Sequence, residues 1–411
     1  MNILCLDQFG ELGGAQRCLL DEIPAMIGRG WKVHLAAPGN GPLAERAAAL
    51  GATVDAIRCG PYSSGTKTLA DMARFGAEAP RLACEIRSLT GRYDADLIYV
   101  NGPRLLPAAA LAVTLRGAGT RACRDRTPAV AWRWFLAPER FPQGPPVANP
   151  ARHGPAVLFH SHSRLDGLAR RLAGRSLALA RAAVVASSRF VAEPLLRYCG
   201  DRGVRVVYNG VRQIALHERF RDGAEFRIGV IGRISPEKGQ ADFLRAARIL
   251  YGDAPECRFL VCGAPLFSNP AAMRYCAELE ALAEDLPVEF AGWTEDVEGL
   301  LAKLDLLVVP SAAIDATPRV ILEAFAAGVP VVAFASGGIP EMVEHGVTGF
   351  LVEQHSPKAL ATAITGLLGE PERLREASRM AREKARGEFS LEHYRAEIVA
   401  AIEAAVKPFA P

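Results

Sequence analysis

The chain has 411 residues, and about 150 residues per domain is usual, so two domains are expected. Hydrophobic residues make up 50% and charged residues 23%, the composition of a globular rather than a disordered protein. No apolar stretch is both long and unbroken enough to span a bilayer, and the first residues lack the pattern of a secretory signal. These features argue against an integral membrane protein and an exported one, and we expect a cytoplasmic location.

The nine cysteines are scattered along the chain and are never spaced as Cys-x-x-Cys. This spacing argues against a structural zinc site and against a disulfide framework. We expect most of the cysteines to be small buried hydrophobic residues in a reducing compartment.

The net charge of +3 hides an asymmetry between the two halves. Residues 1–215 carry 28 Lys and Arg against 16 Asp and Glu, whereas residues 216–411 carry 20 against 29. Most of the excess lies in 101–200, with 15 arginines, no lysine and four acids. This suggests an anionic partner such as a phosphate-bearing acceptor or a membrane surface. A solvated basic face is the simpler alternative, and nucleic acid is disfavoured because no recognition module accompanies the charge.

Strands and helices alternate from the N-terminus. Met1–Asp7 reads as a strand, Gly10-Glu-Leu-Gly-Gly14 as a turn, and about 15–28 as a helix. Further strands are predicted at 31–37, 96–101, 156–159, 183–186 and 204–208, with helices at 43–51 and about 165–182. This rhythm predicts a parallel sheet covered by helices on both faces.

A second β-α-β series follows the polar segment 212–225. Its strands are predicted at 226–232, 258–262, 288–291, 304–309 and 330–335, and mostly charged helix follows at 371–407. We predict an N-terminal domain over 1–212 and a C-terminal domain over 213–390, with a helix at 391–411 returning towards the N-terminal domain. The expected fold class is α/β, with two doubly wound, Rossmann-like domains facing each other across a ligand cleft.

The sequence lacks the motifs of several common enzyme classes. Neither domain opens with Gly-x-Gly-x-x-Gly, and no acidic residue follows the second strand, which disfavours a nicotinamide or flavin cofactor. A Walker lysine loop, His-Glu-x-x-His and Gly-x-Ser-x-Gly are also absent from the sequence.

The first segment that carries chemistry is Gly232-Arg-Ile-Ser-Pro-Glu-Lys-Gly239, directly after a predicted strand. Arg233 can grip phosphate oxygens with two donors, Lys238 adds a second positive charge, and a helix N-terminus adds backbone N–H groups. The alternative is a solvated loop.

The second segment, residues 310–330, predicts a helix with Thr317 as its N-cap and Pro318 at its first position, ending at Gly328. Asp315 then lies in the loop before the helix, and Glu323 in its second turn. A carboxylate on such an apolar helix needs partners, either sugar or ribose hydroxyls or another protein group.

The third segment runs from Ser336-Gly-Gly-Ile-Pro-Glu341 to Phe350. Here a strand enters a Gly337-Gly338 turn, whose exposed N–H groups can meet a phosphate or a sugar.

These segments resemble family 4 of the retaining glycosyltransferases, a group of sugar-nucleotide-dependent enzymes with the GT-B fold. The resemblance covers nearly the whole chain and is strongest over 226–352, in the block Glu323-Ala-Phe-Ala-Ala-Gly-Val-Pro-Val-Val with Gly337-Gly338-Ile-Pro-Glu341. Weaker matches lie at Gly13-Gly14-Ala-Gln-Arg17, 157–163 and 206–211.

The resemblance implies a role for each matching position. Arg233 and Lys238 would hold the diphosphate of a nucleotide-sugar donor, and Glu323 would bind the ribose hydroxyls. Asp315 would contact the transferred sugar, although it stands where the family has Glu, one methylene longer. Other positions implied near the donor are Ser336, Gly337 and Gly338 in the C-terminal domain and Gly13 and Gly14 in the N-terminal domain.

The family also has a histidine after an N-terminal-domain strand that touches the donor sugar. Phe159-His-Ser-His-Ser163 offers both His160 and His162, and the sequence does not decide between them. Either one can instead be a structural histidine.

The resemblance implies a retaining, metal-independent transfer of a sugar from a nucleotide diphosphate to a hydroxyl of a glycan, lipid-linked or small-molecule acceptor. UDP-sugars are the first expectation and GDP-mannose the second, and no cofactor is implied beyond the donor. Two alternatives stay open. One is a partner or binding subunit with impaired catalysis, suggested by Asp315. The other is a phosphorylase or epimerase on the same scaffold.

Residues 120–155 look like an insertion in the N-terminal domain, with Trp132, Trp134, Phe135 and Phe141 among arginines. Such a stretch can rest on a membrane interface, cover a lipid-linked acceptor, or bury its own aromatic rings. We expect it to shape the acceptor site, with peripheral contact to the inner face of the membrane as a further possibility.

Overall fold

A computed structural model of the chain describes residues 1–39, 41–60, 69–114, 154–200, 203–215, 225–265, 270–312 and 315–407, with only the backbone at 69–76. The predicted insertion at 120–155 lies outside the described residues except for its last two. The chain divides into two compact units. One contains Met1–Ser187, Val191–Val207 and the chain from Arg395 onward, and the other contains Ser188–Phe190 and Tyr208–Tyr394.

The N-terminal unit is built on a seven-stranded parallel sheet in the order β3-β2-β1-β4-β5-β6-β7. Its strands are β1 (Asn2–Asp7), β2 (Lys32–Ala37), β3 (Thr53–Ala56), β4 (Leu97–Asn101), β5 (Ala156–Ser161), β6 (Ala183–Ala186) and β7 (Val204–Val206). The helices are α1 (Gly14–Gly28), α2 (Pro42–Ala49), α3 (Leu69–Arg92), α4 (Leu106–Thr114) and α5 (Gly167–Ala180). The short α6 (Arg189–Ala192), which a 3-10 turn at Glu193–Tyr198 follows, has its first two residues in the second unit and its last two in this one.

The second unit is built on a six-stranded parallel sheet in the order β10-β9-β8-β11-β12-β13. The strands are β8 (Phe226–Ile231), β9 (Cys257–Cys262), β10 (Val288–Gly292), β11 (Leu306–Val309), β12 (Val331–Phe334) and β13 (Phe350–Val352). The helices are α7 (Gln240–Asp253), α8 (Pro270–Leu282), α9 (Val297–Leu301), α10 (Arg319–Ala327), α11 (Ile339–Met342), α12 (Pro357–Leu368) and α13 (Pro371–Arg386). The last helix, α14 (Leu391–Val406), starts in this unit, but its residues from Arg395 onward belong to the N-terminal unit.

Both faces of the second sheet are covered, as the near-continuous apolar strands predict. Alternate residues of one strand belong to different clusters: Leu306 and Val308 pack in one core, and Leu307 and Val309 in the other. The predicted α/β class with two doubly wound sheets is therefore confirmed.

Most described cysteines are small buried residues. Seven are free thiols and six of these are buried. Cys84 is disulfide-bonded, which the scattered spacing did not predict. Within the described residues, every helix is too short or too polar to cross a membrane.

Candidate active site

The loops after β8 and β11 start next to each other in the second sheet. These two strands are neighbours although they are not consecutive, so the strand order reverses between them. Ligands of open α/β sheets bind outside the carboxyl ends of the strands at such a reversal. Gly232 follows β8 and Pro310 follows β11, so the first two predicted segments begin at this point.

A glycine holds these two loops together. Gly239 ends the β8 loop with a φ of +72°, and a Cβ there would lie 1.8 Å from the Pro310 carbonyl oxygen. The Ala312 N–H also donates to the Glu237 carbonyl at 3.0 Å. Because no side chain fits between the loops, Lys238 lies against the segment that follows β11.

Lys238 pairs with the predicted sugar-contacting carboxylate. Its Nζ lies 2.5 Å from Oδ2 of Asp315, and Ser311 Oγ donates to the same oxygen at 3.0 Å. Ser336 Oγ, which is buried, donates to the Ser311 carbonyl at 2.9 Å. The structure thus brings together Lys238, Asp315 and Ser336, which come from three separate segments.

The Gly337-Gly338 turn packs directly on the Asp315 loop. Gly337 has a φ of +58°, and a Cβ there would lie 2.1 Å from the Asp315 carbonyl oxygen. A Cβ on Gly338 would lie 1.9 Å from the Ala316 carbonyl oxygen. The Gly338 N–H donates to the Asp315 carbonyl at 2.9 Å. The expectation that both N–H groups face a ligand is therefore wrong for Gly338.

Arg233 lies in the same β8 loop and is one third exposed. Its Nη2 lies 3.3 Å from Oε1 of Glu237, one turn further along, and its carbonyl accepts from Gln240 Nε2 at 2.8 Å. The guanidinium is thus paired with Glu237 and remains partly exposed to solvent.

Glu323 lies in the second turn of α10, as predicted, and its side chain is half-buried. The expected cap is wrong by one residue, because Pro318 takes the N-cap position and the helix begins at Arg319. Thr317 Oγ1 accepts instead from Asn209 Nδ2 at 2.9 Å.

Glu341 has a role that the sequence did not reveal. Its two carboxylate oxygens accept from the backbone N–H groups of Arg189 and Phe190, each at 2.7 Å. Tyr208 Oη donates to it at 2.9 Å, and burial, followed by this carboxylate, raises the pKa of Tyr208 to about 12. Glu341 thus fastens residues 189–190 and Tyr208 within the second unit.

The N-terminal sheet has its own reversal, between β1 and β4. Asp7 ends β1, Asn101 ends β4, and His162 follows β5, the next strand along. Asn101 Nδ2 donates to Asp7 Oδ2 at 2.6 Å, and His162 Nε2 lies 2.7 Å from Asn101 Oδ1. Asp7 is fully buried, and this burial raises its pKa to about 7 despite four hydrogen bonds that favour the carboxylate.

The two candidate histidines lie in different surroundings. His160 is fully buried, with Nδ1 2.7 Å from Tyr99 Oη and 3.3 Å from Glu22 Oε1. Burial lowers the pKa of His160 to about 3. His162 is partly exposed, and its ring centroid lies 3.9 Å from that of His160. Only His162 of the two presents a surface to solvent.

Gly13 and Gly14 form the start of α1. Gly13 is the N-cap residue, and its N–H donates to Gln16 Oε1 at 3.1 Å. Among the described residues, and apart from its chain neighbours and its own helix, no atom lies within 4 Å of the place where a Gly14 Cβ would stand, and Gly14 is exposed. The backbone at Gly14 is therefore accessible.

Sequence reasoning missed Asp7 and Asn101. A signal for both was present, since each is the polar residue that ends a mainly apolar strand. The β1–β4 pairing that joins them is a tertiary fact, so the signal has no meaning before the strand order is known.

Among the described residues, no group of three His, Cys, Asp or Glu side chains is arranged to hold a metal ion. The string Asp94-Ala95-Asp96 precedes β4, at the amino edge of the sheet. There Asp96 Oδ2 accepts from the Asn2 backbone N–H at 2.8 Å.

The architecture is that of the GT-B fold. HepE of Anabaena, solved with UDP and glucose, is similar with a TM-score of 0.73 and 23% identity, over 98% of this chain and 99% of that one. Sucrose-phosphate synthase of Thermosynechococcus elongatus has a TM-score of 0.71 and 18% identity, over 98% of both chains.

Two family models match the sequence and together span most of it. Residues 12–213 match "Glycosyltransferase Family 4", and residues 225–370 match "Glycosyl transferases group 1". The chain therefore belongs to the family 4 glycosyltransferases, as the motifs predicted.

Curated relatives are similar over part of their length. The D-inositol 3-phosphate glycosyltransferase of Thermobispora bispora is 30% identical over 229 residues, which are 54% of this chain and 53% of the relative. The protein with the same name from Mycobacterium sp. (strain KMS) is 37% identical over 164 residues, 38% of this chain and 36% of that one. The chain thus spans about half the length, or less, of the curated relatives that it matches.

Proposed function

We propose that this protein is a retaining, metal-independent glycosyltransferase that moves a sugar from a nucleotide-diphosphate sugar to an acceptor hydroxyl, with a UDP-sugar as the first candidate donor and GDP-mannose as the second. The observation that carries the proposal is the contact of Lys238 with Asp315 at the strand reversal of the second sheet, with Ser336 joined to the same loop through the Ser311 carbonyl. A cation, a carboxylate and a glycine turn at one point suit a donor with a diphosphate and a sugar.

In the second unit, Lys238 and Arg233 would stabilise the charge that develops on the leaving diphosphate. Loss of one such group commonly slows a reaction by about 10²–10³-fold. Asp315 and the Gly337-Gly338 turn would receive the transferred sugar. Glu323 would bind the ribose hydroxyls, and the diphosphate itself would accept the proton of the acceptor hydroxyl, so that no covalent nucleophile is needed.

In the N-terminal unit we assign the donor-side role to His162 rather than His160. His162 is partly exposed at the carboxyl edge of its sheet, whereas His160 has no exposed surface. The open space over Gly14 would let a ligand approach the backbone. HepE, solved with UDP and glucose, supports a uridine donor for this chain as well.

A thermal-shift panel with UDP, GDP, ADP, CMP and TDP tests the donor site. A ligand at 100 times its dissociation constant stabilises a protein by about 2.7 kcal/mol. We expect UDP to stabilise the wild type but hardly the Glu323→Ala variant. Arg245→Gln, a change at an exposed ion pair on α7, is the control and should respond as the wild type does. A stronger response to GDP would redirect the proposal to GDP-mannose.

The retaining outcome is tested on the product. With an α-linked UDP-sugar and an acceptor, proton NMR should show an α-glycoside at early times. A β-glycoside would contradict retention.

Two outcomes would favour the alternative functions. If no nucleotide stabilises the protein at millimolar concentration, the partner-subunit alternative replaces the enzyme. If the donor is consumed without any second sugar acceptor, the phosphorylase or epimerase alternative replaces it.

We also propose an anionic partner for the arginine-rich part of the N-terminal half, either the acceptor or a membrane surface. The arginine-rich stretch 101–200 includes Arg170, Arg171 and Arg175 on α5. Such a charge would favour a phosphorylated or lipid-linked acceptor, or the inner face of the membrane. Sedimentation with phosphatidylglycerol vesicles at low and high salt measures this, with phosphatidylcholine vesicles as the control. Deletion of 127–150 should change acceptor kinetics if this segment shapes the acceptor site.

A further inference from the structure

Four polar side chains form one hydrogen-bonded chain at the carboxyl edge of the N-terminal sheet. His162 contacts Asn101, whose Nδ2 donates to one oxygen of Asp7. The other oxygen of Asp7 accepts from Gln16 Nε2 at 2.8 Å. Gln16 Oε1 in turn accepts the Gly13 N–H at 3.1 Å. One buried carboxylate therefore links the two features that the proposed function places beside the donor, His162 and the Gly13 turn.

The orientation of the Asn101 amide follows from its partners. Its Nδ2 donates to Asp7 Oδ2 and lies 3.2 Å from the Ala15 carbonyl oxygen, so both N–H groups have acceptors. Oδ1 therefore faces His162, and a carbonyl oxygen only accepts. The neutral imidazole of His162 must then carry its proton on Nε2.

Asp7 sets this orientation because an ionised carboxylate has only acceptors. It receives the two amide N–H groups and the Phe9 backbone N–H at 2.9 Å. An amide in its place would present an NH₂ group to one of these donors, and one neighbouring amide would have to rotate. If Asn101 rotates, it offers a donor to Nε2 of His162, and the imidazole proton must move to Nδ1.

We infer that Asp7 is a positioning residue that acts through Asn101 to set the protonated nitrogen of His162, and through Gln16 to hold the Gly13 turn. The inference deepens the proposed function and rests on it for the importance of His162. Asp7 is fully buried, so it acts through these amides and not on the substrate.

The direct test is the tautomer of His162 in the full chain. Nitrogen-15 NMR of imidazole-labelled protein resolves Nε2–H from Nδ1–H forms, and His162→Gln assigns the resonances among the eight histidines. Well above pH 7, where Asp7 is ionised, we expect Nε2–H in the wild type and a gain of the Nδ1–H form in Asp7→Asn and in Asn101→Leu. Ile98→Val is the control: it removes a buried methyl group from β4, the strand that carries Asn101, and should leave the His162 tautomer unchanged. An unchanged tautomer in Asp7→Asn overturns the inference, even if Asn101→Leu changes it.

The wild type offers a check if Asp7→Asn fails to fold. Titration of Asp7 near pH 7, followed by its carboxyl carbon-13 signal, should produce a step in the His162 nitrogen shifts at the same pH. The thiols of Cys5 and Cys59 interact electrostatically with Asp7, but burial raises the pKa of both well above neutrality. Neither thiol should therefore titrate in the pH range of this experiment. A His162 signal that ignores the Asp7 titration would overturn the inference.

Kinetics supply the second readout. With a nucleotide-sugar donor that the wild type turns over, Asp7→Asn should lower kcat by about 10–100-fold and leave the donor KM within about threefold, because misplacement of a catalytic group acts on the reaction step. An unchanged kcat overturns the positioning role. If the wild type neither binds nor turns over any nucleotide sugar, the proposed function fails, and the NMR experiment alone decides the role of Asp7.

Discussion

Lys238 and Asp315 are 77 residues apart in the sequence, yet their side chains meet at 2.5 Å between Nζ and Oδ2. The resemblance assigns one to the diphosphate and the other to the sugar. Their contact means that Asp315, although one methylene shorter than the family's Glu, reaches the cation that would hold the leaving group. Ser311 Oγ donates a second hydrogen bond to the same Asp315 oxygen and so helps to hold the shorter side chain in place.

Replacing Lys238 tests this contact. Lys238→Gln should lower kcat by about 10²–10³-fold, since a cation that stabilises the leaving group contributes about 3–4 kcal/mol in the transition state. Steady-state kinetics with the donor identified by the nucleotide panel measures the loss. Arg245→Gln, which removes a charge from the same unit, should remain within about twofold of the wild type. Equal activity of both variants would remove Lys238 from the proposed mechanism.

Gly337 and Gly346 provide a matched pair for the glycine turn. Both have positive φ, +58° and +77°, so an alanine at either position costs about 1 kcal/mol in backbone conformation. Only at Gly337 does the added Cβ meet a neighbour, the Asp315 carbonyl oxygen at 2.1 Å, while the space at Gly346 is open. Gly337→Ala should displace Asp315 and abolish nucleotide-dependent thermal stabilisation, whereas Gly346→Ala should keep it. Loss of binding in both would point to general destabilisation.

His160 should make the N-terminal unit sensitive to acid. Burial lowers its pKa to about 3 in the folded chain, whereas an unfolded chain protonates histidine near pH 6.5. Its contribution to stability is therefore present above pH 6.5 and is lost as the pH falls towards 3. The raised pKa of Asp7 in the same unit gives the opposite pH dependence, so the contribution of His160 is measured as the difference between the wild type and His160→Asn in urea unfolding at pH 7, 6 and 5. This difference should change by an amount that approaches about 1.4 kcal/mol per pH unit, whereas the exposed His393→Asn should follow the wild type. An unchanged slope in His160→Asn would contradict the prediction.

Glu341 should matter for stability before it matters for chemistry. Glu341→Gln replaces one acceptor oxygen by an NH₂ group that faces the backbone N–H of Arg189 or Phe190, and an unpaired donor in this half-buried contact costs about 1 kcal/mol or more. Tyr208→Phe removes one hydrogen bond only and should cost about 1 kcal/mol. Chemical unfolding measures both. A Glu341→Gln variant as stable as the wild type would show that the contact is replaceable.

Much of the fold could be predicted from the local pattern. The apolar runs that became β1, β8, β11 and β12 are bounded by Gly, Pro, Asn or Asp, and parallel strands buried on both faces read as continuous apolar segments. The mostly charged helical stretch predicted at 371–407 consists of two helices, α13 and α14, with a break at Gly387. The second of them begins at Leu391, where a separate C-terminal helix was predicted.

The candidate site was predicted in part. Family motifs in 226–350 indicated Arg233, Lys238, Asp315, Glu323 and the glycine pair. The predicted N-cap of α10 was wrong by one residue: Thr317 Oγ1 accepts a hydrogen bond from Asn209 Nδ2 instead of capping the helix, and Pro318 is the N-cap residue. A competing long-range hydrogen bond of this kind is invisible to a rule based on neighbouring residues.

The sequence by itself determined the α/β class, the family, and the segments that carry charge and glycine, because strand and helix periods and motif spacing are local properties. Only the tertiary structure decided which histidine is open, since His160 and His162 both lie at the end of β5 and differ in what packs against them. It also decided that Asp7, Asn101 and Gln16 belong to one network. Those contacts arise where β1, β4 and α1 meet, and burial there converts an ordinary aspartate into one whose pKa lies near neutrality.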